Sequence, residues 1–397
     1  MEKTQVIIAG AGPVGTLAAY YLAVKGIEVI LCETGPNCAI DLRASTFHPP
    51  TLEMLDQLGM AEPLIQQGLK APEYHFRERQ TGDVIEFDLG ELADHTRFPY
   101  RIQCEQHVMA TMLSDNLEKH PKASVRFGHR ITSFEQLDDG VEVAVETDRE
   151  IKKIRAKYLI AADGGNSIIR KWLKVQFEGF TYPEKFLTLS TKLELKEYID
   201  NLAYVNYVSD PQEWLVLLRV PSVWRILVPA SEDQSDEFLL SDAYKNKVLE
   251  RLTGKTDITT EHRTIYRVHQ RVATKFNHGR VFLVGDSAHM NNPLGGFGMN
   301  SGIHDAWNLC GKLETCLTKG HKEPLLDLFD LQRRSVTHSF IQAQSKQNKA
   351  LLEHRKNEAH SQQLQQMREC QRNPEKRREF LLRQSMFTSL QEAASIQ

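Results

Sequence analysis

Residues 279–309 read GRVFLVGDSAHMNNPLGGFGMNSGIHDAWNL. An apolar run, Val281-Phe282-Leu283-Val284, stops on Gly285-Asp286. A loop with Pro293, Gly295, Gly296 and Gly298 then leads into a helical pattern. A buried strand ending on an acid, beside glycines that open a helix, is a way of holding a phosphorylated cofactor. Taken alone, the same residues also describe a plain surface turn. A second signal stands at the start of the chain. Gly10-Ala11-Gly12-Pro13-Val14-Gly15 fits G-x-G-x-x-G, where glycines permit a tight turn, close approach of a pyrophosphate and close helix packing. Glu33 then ends the next apolar run, where an acid takes ribose hydroxyls. The structural alternative is a strand-to-helix turn with no ligand. A further apolar run closes on Asp163-Gly164.

The elements that must position these residues follow from periodicity. Gln5–Ala9 reads as a strand; Val14, Leu17, Ala18, Tyr21 and Leu22 recur at helical spacing, and Gly26 stops the helix. Glu28–Cys32 is a second strand, so the chain opens as a doubly wound parallel sheet. A helix is expected from Pro50 to Gly59, a hairpin over Glu73–Asp88 around Thr81-Gly82, a helix from Glu105 to Lys119 and a strand over Lys157–Ala162. Between Pro183 and Thr264 the runs alternate, as in Trp214–Val220 and Trp224–Val228, which predicts an inserted antiparallel sheet. From Glu323 onward the chain is helical and polar. That tail is expected to be a solvent-facing helix packed on the domain, or alternatively an oligomerisation or partner helix.

Composition narrows the class. The 397 residues suffice for two domains or one large domain with insertions. A net charge of −3 gives no global attraction to nucleic acid or to an anionic membrane. The basic clusters Arg333-Arg334 and Lys376-Arg377-Arg378 are expected to be solvated helix faces. No run is long enough for a membrane span or for the apolar core of a signal peptide. The six cysteines form no C-x-x-C pair and no zinc spacing, so no metal is expected and the cytoplasm is the expected compartment.

Both nicotinamide and flavin dinucleotides use the glycine fingerprint. The order of motifs separates them: fingerprint, Asp163-Gly164, then Gly285-Asp286 resembles the class A FAD-dependent aromatic hydroxylases of the para-hydroxybenzoate hydroxylase type, over Gln5 to Arg334. That resemblance implies an α/β fold, with a Rossmann-like FAD-binding domain, an inserted antiparallel sheet for substrate and C-terminal helices. The expected boundaries are 1–75, 98–182 and 265–322 for FAD, 76–97 and 183–264 for substrate, and 323–397 for the helical tail. It implies FAD as cofactor, NADPH or NADH as co-substrate, dioxygen, and a small phenolic or aminoaromatic substrate attacked through a flavin C4a-hydroperoxide. A monomer or homodimer is expected. A flavin-dependent reductase or halogenase, or a non-catalytic flavin-binding protein, is the alternative on the same framework; the tryptophan motif of a halogenase is missing.

The resemblance also assigns residues. Gly10, Gly12, Pro13, Val14 and Gly15 form the pyrophosphate loop, and Glu33 binds the adenosine ribose. Arg43 and Gln103 contact the cofactor, with a surface arginine and a helix cap as their respective alternatives. Asp163 belongs to the motif linked to FAD and NAD(P)H, or is a helix N-cap. Asp286 binds the ribityl or ribose part. Pro293, Gly298, Met299 and Asn300 edge the isoalloxazine ring. A base that ionises a phenol would help, with His48, Tyr204, Tyr207 and Arg225 as candidates. His289 reads as a structural hydrogen-bonding residue in preference to an acid or base.

Overall fold

The computed structural model describes residues 1–38, 44–320, 324–353 and 358–397. Four short apolar strands, Val6–Ala9, Val29–Cys32, Tyr158–Ala161 and Val281–Leu283, lie side by side and parallel. Ala123–Arg126 extends one edge in parallel, and Asn277–His278 closes the other antiparallel. Covered on both faces, the central strands read as continuous apolar runs. The helix Pro13–Val24 is buried on most of its surface because it lies between this sheet and the helices Gln106–Glu118 and Phe297–Lys319. All three inner strands end on the same side, so the Gly10 loop, Asp163 and Asp286 meet above the carboxyl edge, where open α/β sheets bind ligands.

A second layer is an eight-stranded, mainly antiparallel sheet. In order it runs His289–Met290, His262–Ala273, Phe177–Thr191, Trp224–Ala230, Leu215–Arg219, Val205–Ser209, Glu73–Glu78, Val84–Asp88. Its strands begin before residue 183 and continue past 264, so the sheet reaches six residues further upstream than the alternation suggests. The expected hairpin joins it through a parallel pairing, Asn206 opposite His75. Period-two alternation sends Leu187, Leu189, Leu215, Leu217, Trp224 and Ile226 to one face, against the helix Asp242–Thr253. The other face, with Tyr74, Phe76, Tyr207, Val216 and Leu227, looks toward the carboxyl edge of the parallel sheet. Glu2–Lys3, Ile151–Ala156, Gly140–Glu146 and Arg130–Leu137 form a further small sheet that the sequence reading does not anticipate.

The C-terminal helices pack back onto the molecule. Leu352, Met367, Leu381 and Phe387 join the core beneath the Glu73–Asp88 hairpin, and Phe380 lies 4.7 Å from Phe87. Arg377 and Arg378 pair with Glu91 and Asp94. Arg333 corrects the expectation of a solvated face. It is fully buried, because a buried carboxylate, Asp305, requires a cation beside it. Among the described residues no helix is long and apolar enough to cross a membrane, and no group of His, Cys, Asp or Glu could hold a metal ion.

Candidate active site

Between the two sheets lies one continuous cavity of about 560 Å³, the size of a pocket for a small ligand. At one end it is walled by Gly10, Gly12, Pro13, Val14, Glu33 and Arg130; in the middle by Asp163, Asp286, Pro293, Gly298 and Met299; at the other end by Tyr207, Val216, Leu218, Arg225, Leu227 and Tyr266. Ten of the fourteen predicted cofactor residues therefore line the cavity. Arg43 lies outside the described residues.

The glycine loop shows what it makes room for. Gly10 takes φ +99°, and a Cβ there would lie 2.4 Å from the Ala162 carbonyl oxygen. Gly15 is equally hemmed in by the loop backbone. A Cβ on Gly12 would meet no protein atom within 4 Å, and it would enter the cavity. The first two glycines serve the fold; the third leaves space for something other than protein. Pro13 starts the helix at its first turn, where a missing N–H costs nothing. Glu33 accepts the Ala11 N–H at 2.7 Å and the Gly35 N–H at 2.9 Å. A carboxylate has about four acceptor sites, so it keeps capacity for ribose hydroxyls.

Asp163 follows the strand Tyr158–Ala161 and sends Oδ2 to the Ile169 N–H at 3.4 Å. Oδ1 is buried, with no hydrogen-bond partner among the described residues. Burial pushes its carboxyl up, against hydrogen bonds from Ser167 and the backbone. The cap residue of the next helix is Ser167, which accepts from the Arg170 N–H, and Asp163 Oδ2 adds a long hydrogen bond to the same first turn while the carboxylate lines the cavity. Asp286 is the exposed acid of the Gly285–Ser287 turn and faces the cavity. Gly298 and Met299 sit in the first turn of the helix Phe297–Lys319, whose leading N–H groups have no intrahelical acceptor. They suit the electron-rich edge of a bound ring. Gln103 accepts from Thr46 at 3.0 Å, and among the described residues its buried Nε2 has no partner, nor has Ser45 Oγ, in the wall.

Five of the described predicted residues lie outside the lining: Gly15 and Gln103, and with them Asn300, His48 and Tyr204. Asn300 is sealed from the cavity, and its side chain is consumed by protein: Oδ1 accepts from His48 N–H and Thr51, and Nδ2 donates to the Thr46 and Gly296 carbonyls. It latches the 46–51 segment to the ring-edge loop and does not itself reach a ligand. His48 is also fully buried and outside the wall, with Nε2 2.8 Å from the Gly295 carbonyl oxygen. Burial, and then the Arg101 charge, hold its pKa well below the usual imidazole range, so the structure gives it no path to a substrate proton. Tyr204 packs on Trp224 and under Lys196, away from the wall. Tyr207 and Arg225 remain in the wall. Arg225 is nearly buried, with Glu105 at 3.8 Å.

Sequence reasoning missed one buried cluster. Asp305 Oδ2 accepts the Gly285 N–H at 3.1 Å and lies 2.7 Å from His289 Nε2, as the structural reading of His289 expects. Arg333 Nε donates to Asp305 Oδ1 at 2.7 Å. Burial works to raise the Asp305 carboxyl, and His289 and Arg333 overcome it, holding the group below the usual carboxylate range. The available signal was a lone acid in an apolar helical stripe, between Ile303 and Ala306.

A family model described as an FAD binding domain matches residues 3–365. The chain belongs to this family. Para-nitrophenol 4-monooxygenase of Pseudomonas sp. (strain WBC-3) is 28% identical over 340 residues, 84% of each chain. 6-Hydroxy-3-succinoylpyridine 3-monooxygenase of Pseudomonas putida (strain DSM 28022 / S16) is 28% identical over 363 residues, 89% of this chain and 90% of that one. The crystal structure of p-nitrophenol 4-monooxygenase from Pseudomonas putida DLL-E4 superposes with a TM-score of 0.92, at 27% identity, over 98% of this chain and 99% of that one. The resemblance seen in the three motifs thus holds over nearly the whole chain. The protein is an FAD-dependent aromatic monooxygenase that uses NAD(P)H and dioxygen. A reductase or halogenase reading is not favoured by these relatives.

Proposed function

We propose that the substrate is a hydroxyarene that binds as its phenolate, with the oxygen anion at Arg225 and the ring among Tyr207, Tyr266, Val216, Leu218 and Leu227. The observation that carries this reading is the wall itself. The strands Val205–Ser209, Leu215–Arg219 and Trp224–Ala230 present Tyr207, Val216, Leu218, Arg225 and Leu227 to the cavity, and the charged group among them is Arg225. Those three strands bring no carboxylate and no imidazole to the cavity; the lining imidazole of this sheet is His269, on the separate strand His262–Ala273 with its Nδ1 2.8 Å from Thr181 Oγ1, and His48 is sealed behind Gly295. A guanidinium stays protonated, so it stabilises a phenolate without taking its proton. On this reading the substrate ionises readily by itself, without a proton passing to His269. An electron-withdrawing group across the ring does this, and the two relatives are named for para-nitrophenol and for 6-hydroxy-3-succinoylpyridine, which both place such a group there.

FAD, when bound and reduced by NAD(P)H, supplies the activation of dioxygen. The chain's own residues do the rest. Gly10–Gly15 and Glu33 hold the adenosine diphosphate half, Asp163 and Asp286 the sugar chain, and Pro293, Gly298 and Met299 the ring edge, with Gln103 Nε2 as a further donor. The apolar side chains opposite exclude water, which limits loss of activated oxygen as peroxide. We assign the FAD segments 1–75, 98–182 and 265–322 and the sheet segments 76–97 and 183–264 to these two tasks, in a cytoplasmic monomer or homodimer. The six free thiols suit a reducing compartment.

The test is the pH dependence of kcat/KM for phenols whose para substituents differ in electron withdrawal. The rate should rise through each phenol's own pKa, so the inflection moves with the substrate. An inflection fixed at one pH for all substrates would show a protein base and refute the reading.

A further inference from the structure

The helices past residue 323 are polar and carry no motif, yet they supply hydrogen bonds to the back of the flavin site. Asp305, fully buried, grips the Gly285 N–H and His289, on either side of the cavity-facing Asp286. Arg333 reaches Asp305 from the helix Pro324–Val336, and its Nη2 lies 3.3 Å from Ser301 Oγ. Beyond Arg333 the backbone opens into a π-helical stretch over Thr337–Gln342. Hydrogen bonds running i→i+5 turn the chain less per residue than an α-helix does, which swings Ser345 round toward the side of Arg333. Gln342 Nε2 donates to the Met290 carbonyl oxygen at 3.0 Å, and the Ser345 carbonyl oxygen accepts from Asn292 Nδ2 at 3.0 Å. Met290 and Asn292 both line the cavity.

We propose that Arg333, Gln342 and Ser345 are positioning residues for FAD, so that the tail helices form the outer half of the flavin site. The inference rests on reading residues 285–299 as flavin contacts. Its physical basis is that a buried carboxylate needs its countercharge. Without Arg333, Asp305 must change its protonation or its hold on His289, and the turn bearing Asp286 loses its fixed shape. Gln342 and Ser345 fix the following loop in the same way, from the same side. A π-helical stretch within a helix is uncommon and is found often at functional sites.

The experiment follows FAD release from the holoenzyme, as the rise in flavin fluorescence on dilution, beside the thermal midpoint of each variant. Arg333→Met should speed release on the order of tenfold, the loss of about one net charge-assisted hydrogen bond. Arg333→Lys should recover part of that. Gln342→Leu leaves the ion cluster intact and should speed release by about threefold, the lower end for one neutral hydrogen bond. Leu326→Ala, a buried apolar residue on the same helix as Arg333, should lower the midpoint and leave release unchanged. Wild-type release in both Arg333→Met and Gln342→Leu would overturn the proposal, as would equal acceleration in Leu326→Ala. If Arg333→Met does not fold, Gln342→Leu decides alone. A wild-type protein that holds no FAD would instead remove the flavin-site reading, before any variant is compared.

Discussion

Asp286 and Asp305 carry the same functional group 19 positions apart and do opposite work. Asp286 is exposed and lines the cavity, where the proposed reading gives it the sugar chain of FAD; Asp305 is fully buried and spends its carboxylate on Gly285, His289 and Arg333. Sequence motifs found the first because it follows an apolar strand and precedes glycines. They passed over the second because its partners lie on separate elements, one of them 28 residues further on. The same limit applies to His48 and Asn300: residue type made the first a candidate and the family resemblance the second, while burial and hydrogen bonds made them latches. Arg225 stays in the cavity wall, where the proposed reading puts the substrate oxygen. Arg225→Met should lower kcat/KM for a phenolate substrate by about 10- to 100-fold, the worth of one charge-assisted hydrogen bond. FAD content should stay the same, since Arg225 lies at the substrate end of the cavity. Steady-state kinetics beside the flavin absorbance ratio check this. Asp286→Ala is the complement: it should lower FAD occupancy after dilution, with little change in the far-UV circular dichroism.

At the scale of elements, the helix Phe297–Lys319 does the most. Its first turn faces the cavity, Asn300 ties it to the 46–51 segment, and Asp305 ties it to the Gly285 turn. Asn300→Ala removes a side chain that makes four buried hydrogen bonds, two accepted and two donated. It should destabilise the fold by about 2–3 kcal/mol, since the stranded partners are costly, and urea denaturation measures it. The parallel strands, the glycine loop and the first helix were legible in the sequence because each is a short run with a clear stop. The sheet over Pro183–Thr264 was legible as alternation. What stayed hidden was pairing: Asn206 meets His75 across 131 positions, and no local pattern encodes that contact. The small sheet of residues 130–156 was also missed, as its strands are half polar on one face.

For the whole molecule, buried histidines set the acid side of stability. His48 and His304 are both fully buried, and burial holds the first well below the imidazole range and the second at about 3. Above a pH of about 6.5 both are neutral whether folded or not, so they contribute nothing to the pH dependence. Below it the unfolded chain takes up protons that the folded chain refuses, and stability falls as pH drops. The slope is about 1.4 kcal/mol per pH unit for each histidine. Urea titrations between pH 7 and 5 should therefore show loss of stability on the acid side; a flat profile would mean that these imidazoles are solvated.

The central claim is that one cavity joins an FAD site to a phenolate pocket. NAD(P)H oxidation by the purified yellow protein, with and without oxygen, across a panel of para-substituted phenols tests it most directly. Stoichiometric FAD, acceleration by at least one such phenol, and an oxygen-dependent hydroxylated product are expected. A protein that neither retains nor rebinds FAD, or whose NAD(P)H oxidation no hydroxyarene accelerates, would contradict it.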